Sequence, residues 1–260
     1  MSRYIQRKFL GSGTYSEVYL AEDTIEKRLV ALKKIQIERD IGIPATTLRE
    51  ISILKSLDHP NILRYIDTLL DENECIIIFE YVEYTLLGYL QMYKNNVNLI
   101  EQLLEGILYI HQNKVMHRDL KPENILVTSL GVLKIADFNL ARNRSIISNE
   151  YAAEVVTLWY RSPELLEGKK DYSYYIDIWS VGCIIAEILG SPPVFRGSDN
   201  NSQLSLIYSL KGEKLRNWLI AHIKDNKFIG LIILCLRIDY SMRPTANELL
   251  ERFREILKDK

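Results

Sequence analysis

Two clusters of residues carry the chemistry open to this sequence. The stretch "MHRDLKPEN" holds Asp119, Lys121 and Asn124, and "KIADFNLAR" holds Asp137 at the end of an apolar run. A carboxylate such as Asp119 accepts the proton of an attacking hydroxyl, and an ammonium such as Lys121 neutralises charge on a phosphoryl group in transfer. Asn124 and Asp137 offer oxygen ligands of the kind Mg²⁺ takes, a hard cation that keeps phosphate and water as its other partners. Upstream, "VALKK" puts Lys33 in an apolar strand. A lysine there reaches the α and β phosphates of a nucleotide if a carboxylate holds it, and Glu50 in "LREIS" is the candidate. Taken singly, Lys33 and Glu50 read more readily as two surface charges. "GSGTYSEVY" places Gly11 and Gly13 in a turn between two predicted strands, where backbone N–H groups can approach phosphate oxygens. Alone, a Gly-x-Gly hairpin is more often a plain turn. A strand follows it rather than a helix, which excludes a dinucleotide-binding βαβ unit.

The elements that must position these residues fall into two halves. Up to about Tyr81, "YIQRKFL", "SEVYLAE", "RLVALKKI", "NILRYIDTLL" and "CIIIFEY" are short, rich in aromatic and β-branched residues, and separated by turns, which predicts strands. One helix interrupts them, "ATTLREISILKSL", with Leu48, Ile51 and Leu54 at helical spacing and Pro44 near its start. Beyond Tyr81 the pattern is helical, clearest in "LIEQLLEGILYIHQ", "YYIDIWSVGCIIAEIL" and "PTANELLERFREIL", the last with Pro244 just inside its start. The expected class is α+β: a small antiparallel sheet with one main helix, followed by a larger helical lobe.

Composition narrows the class further. The chain has 260 residues, enough for one large domain or two small lobes. Hydrophobic residues make up 47% and charged residues 26%, as in soluble globular proteins. A net charge of −1 gives no strong field to attract nucleic acid or an acidic membrane. Cys75, Cys183 and Cys235 sit among apolar neighbours and read as reduced thiols of a cytosolic or nuclear protein. No CxxC pair or Cys/His cluster points to structural zinc. The start, "MSRYIQRKFL", lacks the apolar run of a signal peptide, and "FIGLIILCL", too short to span a bilayer, predicts a buried helix.

Read in order, the motifs resemble those of a eukaryotic protein kinase, and most those of a cyclin-dependent kinase, from about Tyr4 to Leu250. The general motifs are "GSGTYSEV", "VALK", the helix glutamate, "HRDLKPEN", "DFN", "SPE", "DIWSVG" and the late "RP". The branch-specific ones are "GTY", "PATTLRE" and "EVVTLWYRSPE". The resemblance implies one bilobal kinase domain over residues 1–260, with an N-lobe over 1–81 and a C-lobe over 82–260. It implies ATP and Mg²⁺ as cofactors, and a cyclin-type subunit that docks on Pro44–Glu50 and pushes the helix inward, with Lys33 pairing with Glu50 only then. Asp119 becomes the catalytic base, Thr157 a bridge between Asp119 and Lys121, and Asn124 and Asp137 the Mg²⁺ ligands. Leu10, Gly11, Ser12, Gly13, Thr14 and Tyr15 would cover the nucleotide, and Val18, Ala31 and Leu126 would sandwich the base. Phe79 would wall the back of the pocket, with Glu80 and Val82 offering backbone hydrogen bonds. Glu164 with Arg243 would form a buried brace, and Asp177 would anchor the catalytic loop. The loop form implies a Ser or Thr acceptor, and the resemblance places the protein itself in the nucleus and cytoplasm, with no direct contact to nucleic acid or membrane. By the same resemblance Arg161 turns the backbone near Val156 so that its carbonyl cannot receive a substrate N–H. Proline has none to leave unpaired, so Ser-Pro and Thr-Pro targets are expected, with Arg161 as a mere loop brace the alternative.

The departures from the family pattern matter equally. Ser16 stands where many kinases have a third glycine, and Asn139 replaces the glycine of D-F-G. Asparagine tolerates positive φ better than other non-glycine residues, so the bend after Asp137 stays reachable. Ala152 falls where the activating threonine is expected, yet Arg49, Arg118 and Arg142, which converge on its phosphate in the family, are all present. Three arginines need an anion, and Glu150 or a phosphorylated Ser148 would supply one. Thr14 and Tyr15 read either as inhibitory phosphorylation sites or as a turn hydroxyl and a packing ring. "NSQLSLIYSLKGEKLRNW" skips an insert that docks a small accessory subunit in relatives. Two functions of different class follow: an active cyclin-dependent kinase, of the cell-cycle branch or of the transcription and kinase-activating branch, or a non-catalytic scaffold that occupies a cyclin. Asn139 and Ala152 favour the scaffold, whereas intact Lys33, Glu50, Asp119, Asn124 and Asp137 favour the enzyme more strongly.

Overall fold

The computed structural model describes residues 3–12, 16–37, 43–71, 73–93, 96–138, 141–143 and 158–258. Strands β1 (Tyr4–Ser12), β2 (Ser16–Asp23), β3 (Arg28–Gln36), β4 (Tyr65–Leu70) and β5 (Glu74–Glu80) form one antiparallel sheet in the order β1-β2-β3-β5-β4. Along β3, Val30 and Leu32 join Tyr4, Ala21 and Ile78 in a small cluster on one face. Side chains alternate along a strand, so Ala31, Lys33 and Ile35 share the other face. Helix α1 (Ala45–Ser56) lies between β3 and β4 in sequence and packs on that second face. Its Thr47, Glu50, Ile51 and Leu54 are buried at helical spacing, while Leu48 is 52% exposed.

The second half contains α2 (Leu86–Met92), α3 (Val97–Gln112), α4 (Pro163–Leu166), α5 (Tyr175–Ile188), α6 (Asn200–Ser209), α7 (Glu213–His222), α8 (Ile229–Cys235) and α9 (Ala246–Lys258). Every residue of α5 from Ile176 to Ile188 is buried, as an all-round apolar helix must be, and α3 and α8 pack around it. Helix α3 buries one apolar stripe, Leu99, Ile100, Leu103, Leu104, Ile107 and Ile110. Arg254 of α9 ties α3 through Glu101 at 2.7 Å and Glu105 at 2.6 Å. One hydrophobic cluster runs through both halves, from Ile35, Ile51 and Phe79 to Leu103, Ile135 and Trp179. The three cysteines are buried and free. "FIGLIILCL" is α8 with its preceding turn, and among the described residues no helix is long and apolar enough to cross a membrane.

Three features depart from the pattern read in the sequence. Short strands β6 (Tyr84–Thr85), β7 (Val115–Met116), β8 (Ile125–Val127), β9 (Leu133–Ile135) and β10 (Arg142–Asn143) punctuate the helical half. At two or three residues each they are too short to show a period. The segment "NILRYIDTLL" becomes strand only at Tyr65, because Ile62 and Leu63 pair instead with Ile135 of β9. Helix α9 starts at Ala246, leaving Pro244 outside it. Thr245 takes the cap: its hydroxyl accepts the Glu248 N–H at 3.3 Å, and Glu248 accepts the Thr245 N–H at 2.8 Å.

Candidate active site

Lys33 links the two halves. Its register on β3, opposite Val18 of β2 and Ile77 of β5, aims the side chain at α1, where Nζ meets Glu50 Oε1 at 2.8 Å, so the pair expected only with a cyclin in place is formed in the chain by itself. The same ammonium meets Asp137 Oδ1 at 3.2 Å. Burial opposes the charge on Lys33, but Asp137 and Glu50 outweigh it and hold its pKa above the ordinary lysine value. Burial likewise opposes the charge on Asp137, and the cations around it, Lys33 first, hold its carboxyl below the usual range. Glu50 moves the other way. Burial raises it by more than Lys33 lowers it, since the ammonium is shared, and its second oxygen is buried without a partner among the described residues.

The loop from His117 to Asn124 hangs from α5. Asp177, buried, accepts the backbone N–H of His117 at 2.9 Å and of Arg118 at 2.8 Å, and His111 Nε2 lies 2.9 Å from the same carboxylate. Burial disfavours that charge, but these donors, His111 foremost, hold the carboxyl below its ordinary pKa. Arg118 then takes a left-handed turn, φ 72°. His117 is buried, and its Nδ1 accepts the Asp119 N–H at 3.3 Å. Its Nε2 therefore carries the hydrogen that goes to the Ala136 carbonyl at 2.9 Å. The ring packs on Phe138, with centroids 4.9 Å apart. His117 thus couples the segment of Asp119 to the segment of Asp137. Sequence reasoning gave His111 and His117 no role. The position of His117 two residues before Asp119 was the available signal.

Asp119 Oδ2 accepts Lys121 Nζ at 2.8 Å and Asn124 Nδ2 at 3.1 Å. Asn124 Nδ2 also donates to the Asp119 carbonyl at 2.9 Å. Only an amide nitrogen can serve those two acceptors, which turns the Asn124 oxygen away from Asp119. The ladder of β8 and β9 pairs Ile125 with Ile135, and the Ala136 N–H bonds to the Asn124 carbonyl at 2.8 Å, so Asn124 and the residue before Asp137 lie side by side. The donor set fits a magnesium ion: one amide oxygen and one carboxylate, with no cluster of three or more His, Cys, Asp or Glu among the described residues. Mg²⁺ retains most of its shell as water and phosphate, so two protein ligands suffice.

Asp137 itself is left-handed, φ 63°, so the expected bend begins on the aspartate. Aspartate is among the few non-glycine residues that reach this region routinely. Val18, Ala31 and Leu126 are apolar yet only half-buried, whereas Phe79 and Val82 are buried behind them. The N–H of Glu80 is committed to the Arg64 carbonyl at 3.1 Å, so any bond from its backbone to a base would come from its carbonyl. Leu10 and Ser12 are exposed at the end of β1. Gly11, between them, has no positive φ, and among the described residues nothing lies within 4 Å of where a Cβ would sit. No described neighbour requires glycine there, which fits close approach of a ligand from outside.

Arg243 holds Glu164 in a bidentate pair at 2.6 Å and 2.8 Å, with both side chains buried, as expected of the brace. Arg161 is half-buried and lines a small pocket with Arg118, Asp119, Tyr160 and Ser180. Arg118 carries its guanidinium over the Tyr172 ring, 5.3 Å from the centroid. Arg49 is half-buried on α1. Gly13, Thr14, Tyr15, Asn139, Ser148, Glu150, Ala152, Val156 and Thr157 lie outside the described residues, as does the side chain of Arg142.

A five-stranded sheet over a helical half, with these polar groups gathered between them, defines the bilobal fold of a protein kinase. The protein kinase domain family matches residues 4–253. A probable cell division protein kinase of Encephalitozoon cuniculi (strain GB-M1) is 47% identical over 256 residues, covering 96% of this chain and 97% of that relative. The chain belongs to the eukaryotic protein kinase family, in its cyclin-dependent branch.

Proposed function

We propose that the protein is a cyclin-dependent, proline-directed serine/threonine kinase that moves the γ-phosphoryl group of ATP to Ser-Pro and Thr-Pro sites in cell-cycle control. The observation that supports this reading is the pair of contact sets, Lys33 with Glu50 and Asp137, and Asp119 with Lys121 and Asn124, brought near one another where the Ala136 N–H bonds to the Asn124 carbonyl. Asp119 accepts the hydroxyl proton of the substrate as the alcohol attacks, and Lys121 offsets charge on the group in transfer. Lys33, held by two carboxylates, grips the α and β phosphates. Asn124 and Asp137 would hold Mg²⁺, which neutralises phosphate charge when bound. Val18, Ala31 and Leu126 enclose the base against Phe79. A cyclin-type subunit docks on Pro44–Glu50, where exposed Leu48 offers an apolar contact, and Arg161 selects proline after the acceptor. With alanine at position 152, activation needs the partner but no phosphate on that residue.

The test is transfer from ATP and Mg²⁺ to a Ser-Pro peptide in the presence of a cyclin. Asp119→Asn should abolish it, and replacing the proline of the peptide by alanine should sharply weaken it. A complex that binds ATP yet phosphorylates no proline-flanked peptide would instead establish the scaffold reading, which Asn139 in the place of glycine favours.

A further inference from the structure

The loop that joins α5 to α6 is fixed on both sides of Arg196. Phe195 is buried and stacks on Trp179 of α5, with ring centroids 5.5 Å apart. Gly197 is buried as well. Its N–H donates to Gln203 Oε1 of α6 at 2.7 Å, and its carbonyl accepts Trp159 Nε1 at 3.0 Å. A Cβ on Gly197 would stand 2.5 Å from the Gln203 backbone, so glycine lets the loop lie this close to α6. With both neighbours held inward, Arg196 is exposed and carries its guanidinium over the Trp159 ring, 5.0 Å from the centroid.

Trp159 belongs to the turn Leu158–Tyr160, which runs directly into Arg161. The Tyr160 carbonyl accepts Ser180 Oγ of α5 at 2.8 Å, and the Arg161 N–H returns to the Leu158 carbonyl at 3.0 Å. Tyr160 and Arg161 line one small pocket with Asp119. The ring under Arg196 is thus continuous with the wall around Asp119. Elsewhere on the surface, Arg3, Arg7 and Arg254 each hold a carboxylate of the chain. Arg196 holds none among the described residues, and no hydrogen bond takes its N–H groups there. The acid nearest to it in sequence, Asp199, is committed to the Ser202 N–H at 2.9 Å and the Ser198 hydroxyl at 3.0 Å. A guanidinium held against an indole face is oriented without being neutralised. Its fork of N–H groups matches a carboxylate or a phosphate, and it gives up little rotamer freedom on binding one.

We propose that Arg196, held on Trp159 at the edge of the site around Asp119, binds an anionic side chain of the protein substrate and so adds a second specificity element beside Arg161. This rests on the kinase reading above. Tyr160 and Arg161 stand nearer to Asp119 in the turn, so the anion belongs a few residues away from the acceptor rather than next to it. Aspartate, glutamate and phosphoserine share the required chemistry, and the phosphate, with more charge and three acceptor oxygens, is held more firmly.

The experiment compares kcat/KM for a set of Ser-Pro peptides phosphorylated by the full chain with its cyclin. The parent peptide is uncharged around the acceptor. The others carry one aspartate or one phosphoserine, moved stepwise from two to five residues away on either side. The wild type should favour an aspartate peptide over the parent by about three- to tenfold at one position or two adjacent ones, and the matching phosphoserine peptide by more. The preference should shrink as salt is raised. Arg196→Met keeps an apolar stem on Trp159 without the charge, and should bring the ratio of charged to parent peptide to about one. Arg196→Glu should turn the preference toward lysine at the same position. Because each readout is a ratio within one protein, a general loss of activity or of folded fraction cancels. A wild type indifferent to both anions at every position overturns the proposal, as does a preference that survives Arg196→Met. A preference for phosphoserine alone identifies phosphate as the group bound, and one that includes aspartate identifies a carboxylate as sufficient. A wild type that phosphorylates no peptide of the set would overturn the kinase reading itself, which keeps the two failures distinct.

Discussion

Asn124 grips Asp119 twice with one amide nitrogen, at the carbonyl and at the carboxylate. The carboxylate is thereby fixed relative to its own backbone, and Lys121 holds the same oxygen from the other side. Orientation of a base counts as much as its presence, because a displacement of about 1 Å in a reacting group costs on the order of a hundredfold in rate.

Asn124→Ala should therefore lower kcat by about a hundredfold or more, with a melting temperature within a few degrees of the parent. Among the described residues its amide nitrogen bonds only to Asp119. Steady-state kinetics beside a thermal melt checks this. A variant with near-normal kcat would mean that Asp119 is held by its other neighbours.

Asp177 presents the opposite case, where positioning and stability coincide. Asp177→Asn replaces one acceptor oxygen by an NH₂ group, so at least one of the buried donors from His117, Arg118 and His111 loses its partner. Each buried donor left unpaired costs about 1–3 kcal/mol. Urea unfolding should show that loss, and activity measured well below the shifted midpoint should fall as well, since the loop carrying Asp119 is no longer pinned.

How much of this was legible in the sequence depended on the range of the interaction. The strands and α1 announce themselves through local periodicity, and Lys33, Asp119, Asn124 and Asp137 through motif order. Contacts that join distant segments leave no such mark. Ile62 and Leu63 look like strand residues because they are apolar, yet they are apolar for lying between the lobes. Lys134 reads as an ordinary charge in an apolar run until β9 is seen beside Glu80. Pro244 looked like a first helical residue, but the threonine after it offers a hydroxyl that caps the helix one step later.

The buried pair of Glu164 and Arg243 gives a sharper test of energetics. Arg243 also donates to the carbonyls of Tyr175 at 2.9 Å and Arg237 at 2.8 Å, and its guanidinium lies 5.0 Å from the Trp179 ring. Glu164→Gln or Arg243→Met alone strands a buried charge or its partners and should cost about 3–5 kcal/mol. The double variant should cost clearly less than the two singles together, because no charge is left unpaired. Chemical denaturation of all four proteins reads the coupling directly, and strict additivity would show that the ions act independently.

Glu187 sets an unusual pH dependence. It is buried in α5, one of its oxygens has no partner among the described residues, and burial pushes its pKa up to about 7 against the pull of Tyr160, with the charge of Glu123 adding to the rise. A carboxyl whose folded pKa is raised binds its proton more tightly in the native state. Its contribution is complete below the ordinary value of 4.5 and is lost as pH climbs through about 7. At about 1.4 kcal/mol per pH unit the swing is of the order of 3 kcal/mol. Asp137 and Asp177, held below 3.8, act in the opposite sense: their stabilisation is present above that value and fades as pH falls further. Unfolding in urea at about pH 5.5 and about pH 8 should then find the wild type weaker at the higher pH, and Glu187→Gln, which mimics the protonated acid, much less sensitive. Equal pH dependence in the two proteins would assign the effect to another group.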